Sequence, residues 1–209
     1  SPRVALAGAA NTLVIDGDGR IHADNTDGLG LVADITRNAG VAITGKDVLL
    51  IGAGGAAAGV LGPLLEQQPR SITICNRTFA KAQTLVEQHA PLAAQQKVEL
   101  LAQELQALEG DFDIVINATA ASLQGAGIPV TARVLRPGCL AYDMMYGAAA
   151  TPFLAWAQAH GATGRDGLGM LVEQAAESFA LWRGVRPPSQ QVLEELREVI
   201  AQETKACTR

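Results

Sequence analysis

Residues 48–65, VLLIGAGGAAAGVLGPLL, leave few folds open to this chain. Four apolar residues make a run of strand length, a glycine-rich turn follows at once, and the chain enters an alanine, valine and leucine segment of helical composition. Strand, turn and helix in that order form the unit on which a dinucleotide's diphosphate rests. Gly52 permits the backbone angles of the turn, Gly54 removes a side chain where the pyrophosphate approaches, and Ala57 lets helix and strand pack closely. The helix N-terminus adds free N–H groups and a partial positive charge. These eighteen residues carry no charge and reach the lower length limit of a membrane span, but five glycines and Pro63 suit a span poorly, so none is expected.

The end of the next strand should say which dinucleotide is bound. Residues 71–75, SITIC, alternate isoleucine with small residues and lead into Asn76-Arg77-Thr78. A site for NAD usually places Asp or Glu there for the ribose hydroxyls. No acidic residue occurs from Gln67 to Val86, whereas Arg70, Arg77 and Lys81 all do. A guanidinium just past the strand pairs with a 2′-phosphate and stacks on adenine, and Lys81 adds a second cation one helical turn on. The pattern selects NADP(H), with ordinary solvated surface charge as the alternative for Arg77 and Lys81.

With 48% hydrophobic and 18% charged residues the chain is globular, and 209 residues suffice to bury a core. A net charge of −5 provides no basic field, so neither nucleic acid nor an anionic membrane surface is an expected partner. Cys75, Cys139 and Cys207 lack paired or metal-like spacing, which fits reduced thiols in a cytoplasmic protein and no metal site.

In chain order, residues 3–15 and 21–23 read as short strands around the turn Asp16-Gly17-Asp18-Gly19. Thr26 or Asp27 is placed to cap a helix over residues 29–39 that Gly40 ends. From Lys46 onward strands near 47–52, 71–75, 97–101, 113–117 and 139–143 alternate with helices near 55–67, 78–89 and 102–108, the signature of an α/β fold with a parallel sheet and helices on both faces. Asn117-Ala118-Thr119 ends one strand at the ligand-bearing edge, where Asn117 and Thr119 serve either as loop caps or as cofactor contacts. Helices over residues 153–160, from Asp166-Gly167-Leu168-Gly169-Met170 to about Trp182, and over 192–203 complete the chain.

Taken together, Ala10-Asn11-Thr12, Asn25-Thr26-Asp27-Gly28, the Gly52 to Ala56 turn, Asn76-Arg77-Thr78, Asn117-Ala118-Thr119, Tyr142-Asp143-Met144, Thr151-Pro152-Phe153-Leu154, residues 166–172 and Gln174-Ala175-Ala176 resemble the shikimate dehydrogenases over essentially the whole chain. The resemblance implies reversible NADP-linked hydride transfer between shikimate and 3-dehydroshikimate, on the route to chorismate and the aromatic amino acids, in a cleft between a substrate domain and a cofactor domain. It implies substrate contacts from Asn11, Asp27, Tyr146 and Gln174. Cofactor contacts would come from Gly52, Ala53, Gly54, Gly55, Ala56, Asn76, Arg77, Thr78, Lys81, Asn117, Ala118, Thr119, Met144, Gly167 and Met170. In such enzymes a Lys and Asp pair manages the proton at the reacting hydroxyl, and Asp27 matches the Asp. A carboxylate at a cleft is chemically suited to that task, while a helix cap is its alternative role.

The resemblance also marks a departure. The family's substrate domain begins well before Asn11, and none of Lys46, Lys81, Lys97 or Lys205 matches the catalytic lysine's context. Residues 1–44 are expected to be a remnant of the substrate-binding domain, 45–166 the NADP-binding domain, and 167–209 helices that return to the substrate domain. Such a polypeptide should bind NADP, turn over little shikimate, and self-associate through exposed edges. Ala120 and Met145 depart from the family's usual Ser and aromatic residue. The competing readings are a quinate/shikimate dehydrogenase of broader specificity and a non-catalytic NADP-binding module.

Overall fold

Val48, Leu49, Leu50 and Ile51 are each at most 1% exposed, as a run without polar alternation requires of a strand covered on both faces. They form β3 (Asp47–Ile51), which pairs in parallel with β4 (Ser71–Asn76) on one side and β6 (Phe112–Asn117) on the other. The computed structural model describes residues 1–120 and 128–207. Beyond β4 lies β5 (Glu99–Glu104); beyond β6 lie β7 (Leu135–Asp143) and β8 (Thr163–Arg165). The order β5-β4-β3-β6-β7-β8 is parallel throughout, which is the doubly wound α/β arrangement expected from the sequence. The winding reverses between β3 and β6, so the C-terminal ends of those two strands border the crevice where such sheets hold ligands.

Alternate side chains serve opposite faces. Val48 and Leu50 join Ile72, Ile74, Ile114 and Ile116 in a core that includes Val60, Leu61 and Leu64 of α3 (Gly55–Glu66) and Ala82 and Leu85 of α4 (Phe79–Gln96). Leu49 and Ile51 join Val115 and Ala141 on the other face, beneath Phe153 and Ala157 of α5 (Thr151–Ala159). Outside the sheet, α1 (Pro2–Ala7) precedes an antiparallel hairpin of β1 (Thr12–Ile15) and β2 (Ile21–Asp24). Next comes α2 (Asp27–Ala33), which widens into one π-helical turn, Asp34–Asn38. The chain closes with α6 (Leu168–Arg183) and α7 (Ser189–Cys207).

Three expectations are corrected, and one strand is added. Residues 3–7 are helical: the Ser1 hydroxyl caps the first turn, Pro2 sits where its missing N–H costs nothing, and Gly8 closes the helix in the left-handed region. The helix expected near 102–108 is absent, because β5 continues pairing with β4 as far as Asn76 opposite Glu104, leaving room only for the 3-10 turn Leu105–Ala107. α4 does not stop near residue 89 but runs through Pro91 to Gln96, its buried stripe of Ala82, Leu85, His89 and Ala93 outweighing the proline's cost of about 3 kcal/mol. β8, only three residues at the sheet's edge, carries too little pattern to be expected from the sequence. No helix among the described residues is long and apolar enough to cross a membrane.

Candidate active site

At the crevice the chain turns out of β3 through Gly52, whose φ of +114° suits glycine and whose added Cβ would lie 3.1 Å from the Ala118 carbonyl oxygen. Gly54, Gly55 and Ala56 are exposed, and no side chain caps the first turn of α3. Nothing lies within 4 Å of a Cβ built on Gly54 or Gly55. The turn therefore presents open main-chain amides at the positive end of a twelve-residue helix, an arrangement that receives a diphosphate. Past β4, Asn76 donates its side-chain N–H to the Thr78 carbonyl at 2.8 Å and shapes the entry to α4. Arg77, Thr78 and Lys81 are exposed. Among the described residues Arg77 and Lys81 form no ion pair, so both guanidinium and ammonium remain available to an anion.

Arg70 has another fate. It lies at the opposite end of the sheet, where its guanidinium grips Asp47, and Arg136 joins Asp47, Asp111 and Asp113 with contacts of 2.8–3.1 Å. The Arg70 bonds hold the Asp47 carboxyl down at about 2. Of the three cations in the acid-free window, Arg77 and Lys81 stay uncommitted among the described residues.

A second polar cluster forms where β1, α2, α3 and α6 meet. The Asn11 side-chain oxygen accepts from the Thr12 hydroxyl (3.0 Å), the Thr26 amide (3.0 Å) and the Thr26 hydroxyl (3.2 Å). Three donors on one oxygen settle the amide's orientation and leave its nitrogen to donate to the Asp27 carboxylate at 2.8 Å. Ser178 of α6 ties the cluster together through hydroxyl contacts of 2.6 Å with Thr12 and 3.1 Å with Thr26. Thr26 caps α2 by position, but its hydroxyl is spent here and not on the helix amides. Burial pushes the Asp27 carboxyl upward, partly offset by the Asn11 hydrogen bond. No cation neighbours it among the described residues.

Two close approaches at glycines tie this cluster to the neighbouring helices. A Cβ on Gly59, one turn along α3 from Gly55, would stand 3.2 Å from the Asp27 carboxylate, so the carboxylate lies against α3 about 6 Å from its N-terminus. A Cβ on Gly30 would stand 2.7 Å from the Gln174 amide nitrogen, which places Gln174 where α6 crosses α2. Among the described residues the Gln174 side-chain oxygen is buried with no hydrogen-bond partner, an arrangement that costs free energy unless a ligand donor satisfies it.

The remaining candidates lie along the ends of β6 and β7. Asn117 is 1% exposed; its oxygen accepts from the Thr119 amide (3.2 Å) and hydroxyl (2.7 Å), so it acts as a loop cap, and its nitrogen donates to Asp143 at 3.3 Å. Ala118 donates its amide to the Ile51 carbonyl at 2.8 Å, joining the loop to β3. Met144 donates its amide to the Asn117 carbonyl at 3.0 Å, and Gly167 is pressed so closely against the Met144 carbonyl that any side chain there would overlap it. Met170 is 6% exposed and belongs mainly to the core. Tyr146 is 44% exposed, and its hydroxyl makes no hydrogen bond among the described residues. Sequence reasoning gives no role to Ser178, Gly59 or Asp143, although Asp143 falls within the Tyr142-Asp143-Met144 motif; their three-dimensional neighbours mark them.

Comparison with known proteins matches residues 34–126 to the family Shikimate / quinate 5-dehydrogenase and residues 167–197 to the Shikimate 5'-dehydrogenase C-terminal domain. The chain is 73% identical over 201 residues to the shikimate dehydrogenase (NADP(+)) of Acidovorax ebreus (strain TPSY), a match covering 96% of this chain and 71% of that protein. Among solved structures, an Ael1 enzyme from Pseudomonas putida superimposes with a TM-score of 0.83 at 47% identity, over 94% of this chain and 70% of that one. Shikimate 5-dehydrogenase from Thermus thermophilus, in complex with NADP(H) and shikimate, gives 0.79 at 30% identity, over 95% and 71%.

Proposed function

The chain belongs to the shikimate dehydrogenase family, and from that premise we propose that it binds NADP(H) in the crevice between β3 and β6 and serves reversible hydride transfer between shikimate and 3-dehydroshikimate. The observation that carries the reading is the pairing of an open, uncapped α3 N-terminus with an uncommitted Arg77 past β4. NADP, when bound, supplies the hydride acceptor or donor. The chain's own residues do the rest. Amides of the Gly54 to Ala56 turn hold the diphosphate, and Arg77 with Lys81 grips the 2′-phosphate. Asn11 orients the Asp27 carboxylate, which takes the proton from the alcohol being oxidised and returns it in the reverse direction. Gln174 offers to a substrate hydroxyl an oxygen that has no partner among the described residues, and Tyr146, exposed in the turn after β7, is the remaining expected substrate contact.

In this assignment residues 45–166 hold the cofactor, while 1–44 and 167–209 face the substrate; the packing of α6 across α2 at Gly30 supports grouping the last two segments. Buried, free Cys75 and Cys139 agree with a cytoplasmic setting. A quinate/shikimate enzyme of wider specificity is the second reading, supported by the name of the family model; comparing quinate with shikimate as substrates decides between them.

Arg77→Ala should weaken NADPH binding about 10- to 100-fold and leave NADH binding unchanged, as expected for a lost charge-assisted contact. Equal losses for both nucleotides, read by fluorescence titration, would remove the 2′-phosphate role. The 209-residue polypeptide itself should show little turnover, because no ammonium stands beside Asp27 among the described residues and Lys46 is engaged by Asp113 at 3.8 Å. It should also self-associate through the hairpin, where Leu13, Ile15 and Ile21 are 56–68% exposed. A steady-state assay with sedimentation velocity on the same sample checks both.

A further inference from the structure

Asp143 is an anomaly that the proposed chemistry does not use. It stands at the last position of β7, is 0% exposed, and has no cation partner among the described residues. A buried carboxylate without a counter-charge is costly. Its two hydrogen bonds reach different segments: Asn117 donates from the loop after β6 (3.3 Å), and the Met145 amide donates from the turn after β7 (2.9 Å). Each segment is fixed further. Asn117 holds Thr119, Met144 donates back to the Asn117 carbonyl, and the Gly167 amide donates to the Met145 carbonyl at 2.8 Å at the entry to α6.

This inference rests on the NADP reading. With the 2′-phosphate beyond β4 and the diphosphate on α3, the other half of the dinucleotide extends across the reversal point, over the ends of β6 and β7. We propose that Asp143 is a positioning residue for that half: its carboxylate joins the Asn117 loop to the Met144–Met145 turn and sets them at one spacing.

The charged neighbours give the device a direction. Burial pushes the Asp143 carboxyl up to about 6 against its two hydrogen bonds, and Asp166 adds to the rise. Asp166 is held by Arg197 of α7 at 2.9 Å, and Arg165 of β8 is committed to Asp34, so neither arginine neutralises Asp143. A carboxyl whose folded pKa is raised contributes stability at low pH that is lost as pH rises through about 6. At neutral pH the ionised group therefore works against the fold, which sets positioning apart from support.

The test compares Asp143→Asn with the parent chain. At pH 7.5 the variant should melt at the same or a higher temperature yet bind NADPH roughly tenfold more weakly, having lost one of two acceptor bonds. At pH 5.5 the ratio of parent to variant affinity should shrink toward one; titration of the ligand's own phosphate cancels in that ratio. In the parent chain the Met145 and Thr119 amide resonances should titrate with one shared midpoint, a readout that needs no variant. Unchanged affinity, a ratio independent of pH, a lower melting temperature with intact binding, or separate midpoints would each overturn the proposal. Failure of the parent to bind NADPH would instead strike the nucleotide reading, and the proposal with it.

Discussion

Asp27→Asn is expected to lower shikimate turnover by about 10²- to 10⁴-fold, the usual contribution of a positioned acid or base, with little change in melting temperature. The measurement belongs in this sequence joined to whatever part of the 73%-identical relative lies outside the match. Asparagine keeps an oxygen for the Asn11 amide but cannot take a proton. The effect on stability follows from the direction of the shift. In the 209-residue chain, where no cation neighbours Asp27 among the described residues, burial raises its carboxyl, so the stability held by its protonated form is present at low pH and lost as pH rises through the folded value. A neutral amide avoids that loss. The acid limb of the pH profile for shikimate oxidation should vanish in the variant. Near-normal turnover would reduce Asp27 to the helix-terminal residue that its place at the start of α2 also allows.

Asp34→Ala should cost about 3–5 kcal/mol, the range for removing one partner of a buried ion pair, and lower the melting temperature by about 10 °C in a chain of this length. Asp34 is fully buried in the π-helical turn and receives the Arg165 guanidinium through two bonds (2.7 and 2.6 Å), the Tyr142 hydroxyl at 2.7 Å and Asn38 at 2.9 Å. Burial pushes its carboxyl up, but the bonds from Arg165, Asn38 and Tyr142 outweigh this and leave it lowered. Its stabilisation is therefore present above the ordinary aspartate range and lost as pH falls through the folded value. Replacing Asp34 and Arg165 together by apolar residues of similar volume should recover much of the loss. A thermal melt within about 2 °C of the parent for the single variant would show that solvent already screens the pair.

Much of this architecture is legible because it is written in local chemistry. The apolar run at 48–51, the glycines after it and the small residues of α3 specify their unit without outside help. Ser1, Pro2 and Gly8 carry a helix signature for α1 that the apolar residues between them obscure by reading equally as strand. Pro91 argues for a stop that tertiary packing overrides. Side-chain partners are the least legible. Arg70 and Arg77 stand seven residues apart with similar credentials, yet β4 carries one to each end of the sheet, and only the one at the crevice stays uncommitted. Ser178 reads as a stray hydroxyl on a largely apolar helix until the fold sets it against Thr12 and Thr26. Asp143 looks like an ordinary strand-end acid, since its burial depends on segments that lie far from it in sequence.

Gly59 and Gly30 give these contacts a further meaning. At Gly59 the side-chain oxygens of Asn25 and Asp27 rest directly on the α3 main chain, so the interval from the tip of α3 to the carboxylate proposed to handle the proton is a ruler made of peptide units on one side and a single side chain on the other. Changes deeper in the hydrophobic interior will soften the protein without detuning that interval. A single methyl at position 59 alters the ruler itself, and would misalign the two chemistries in a molecule that still folds.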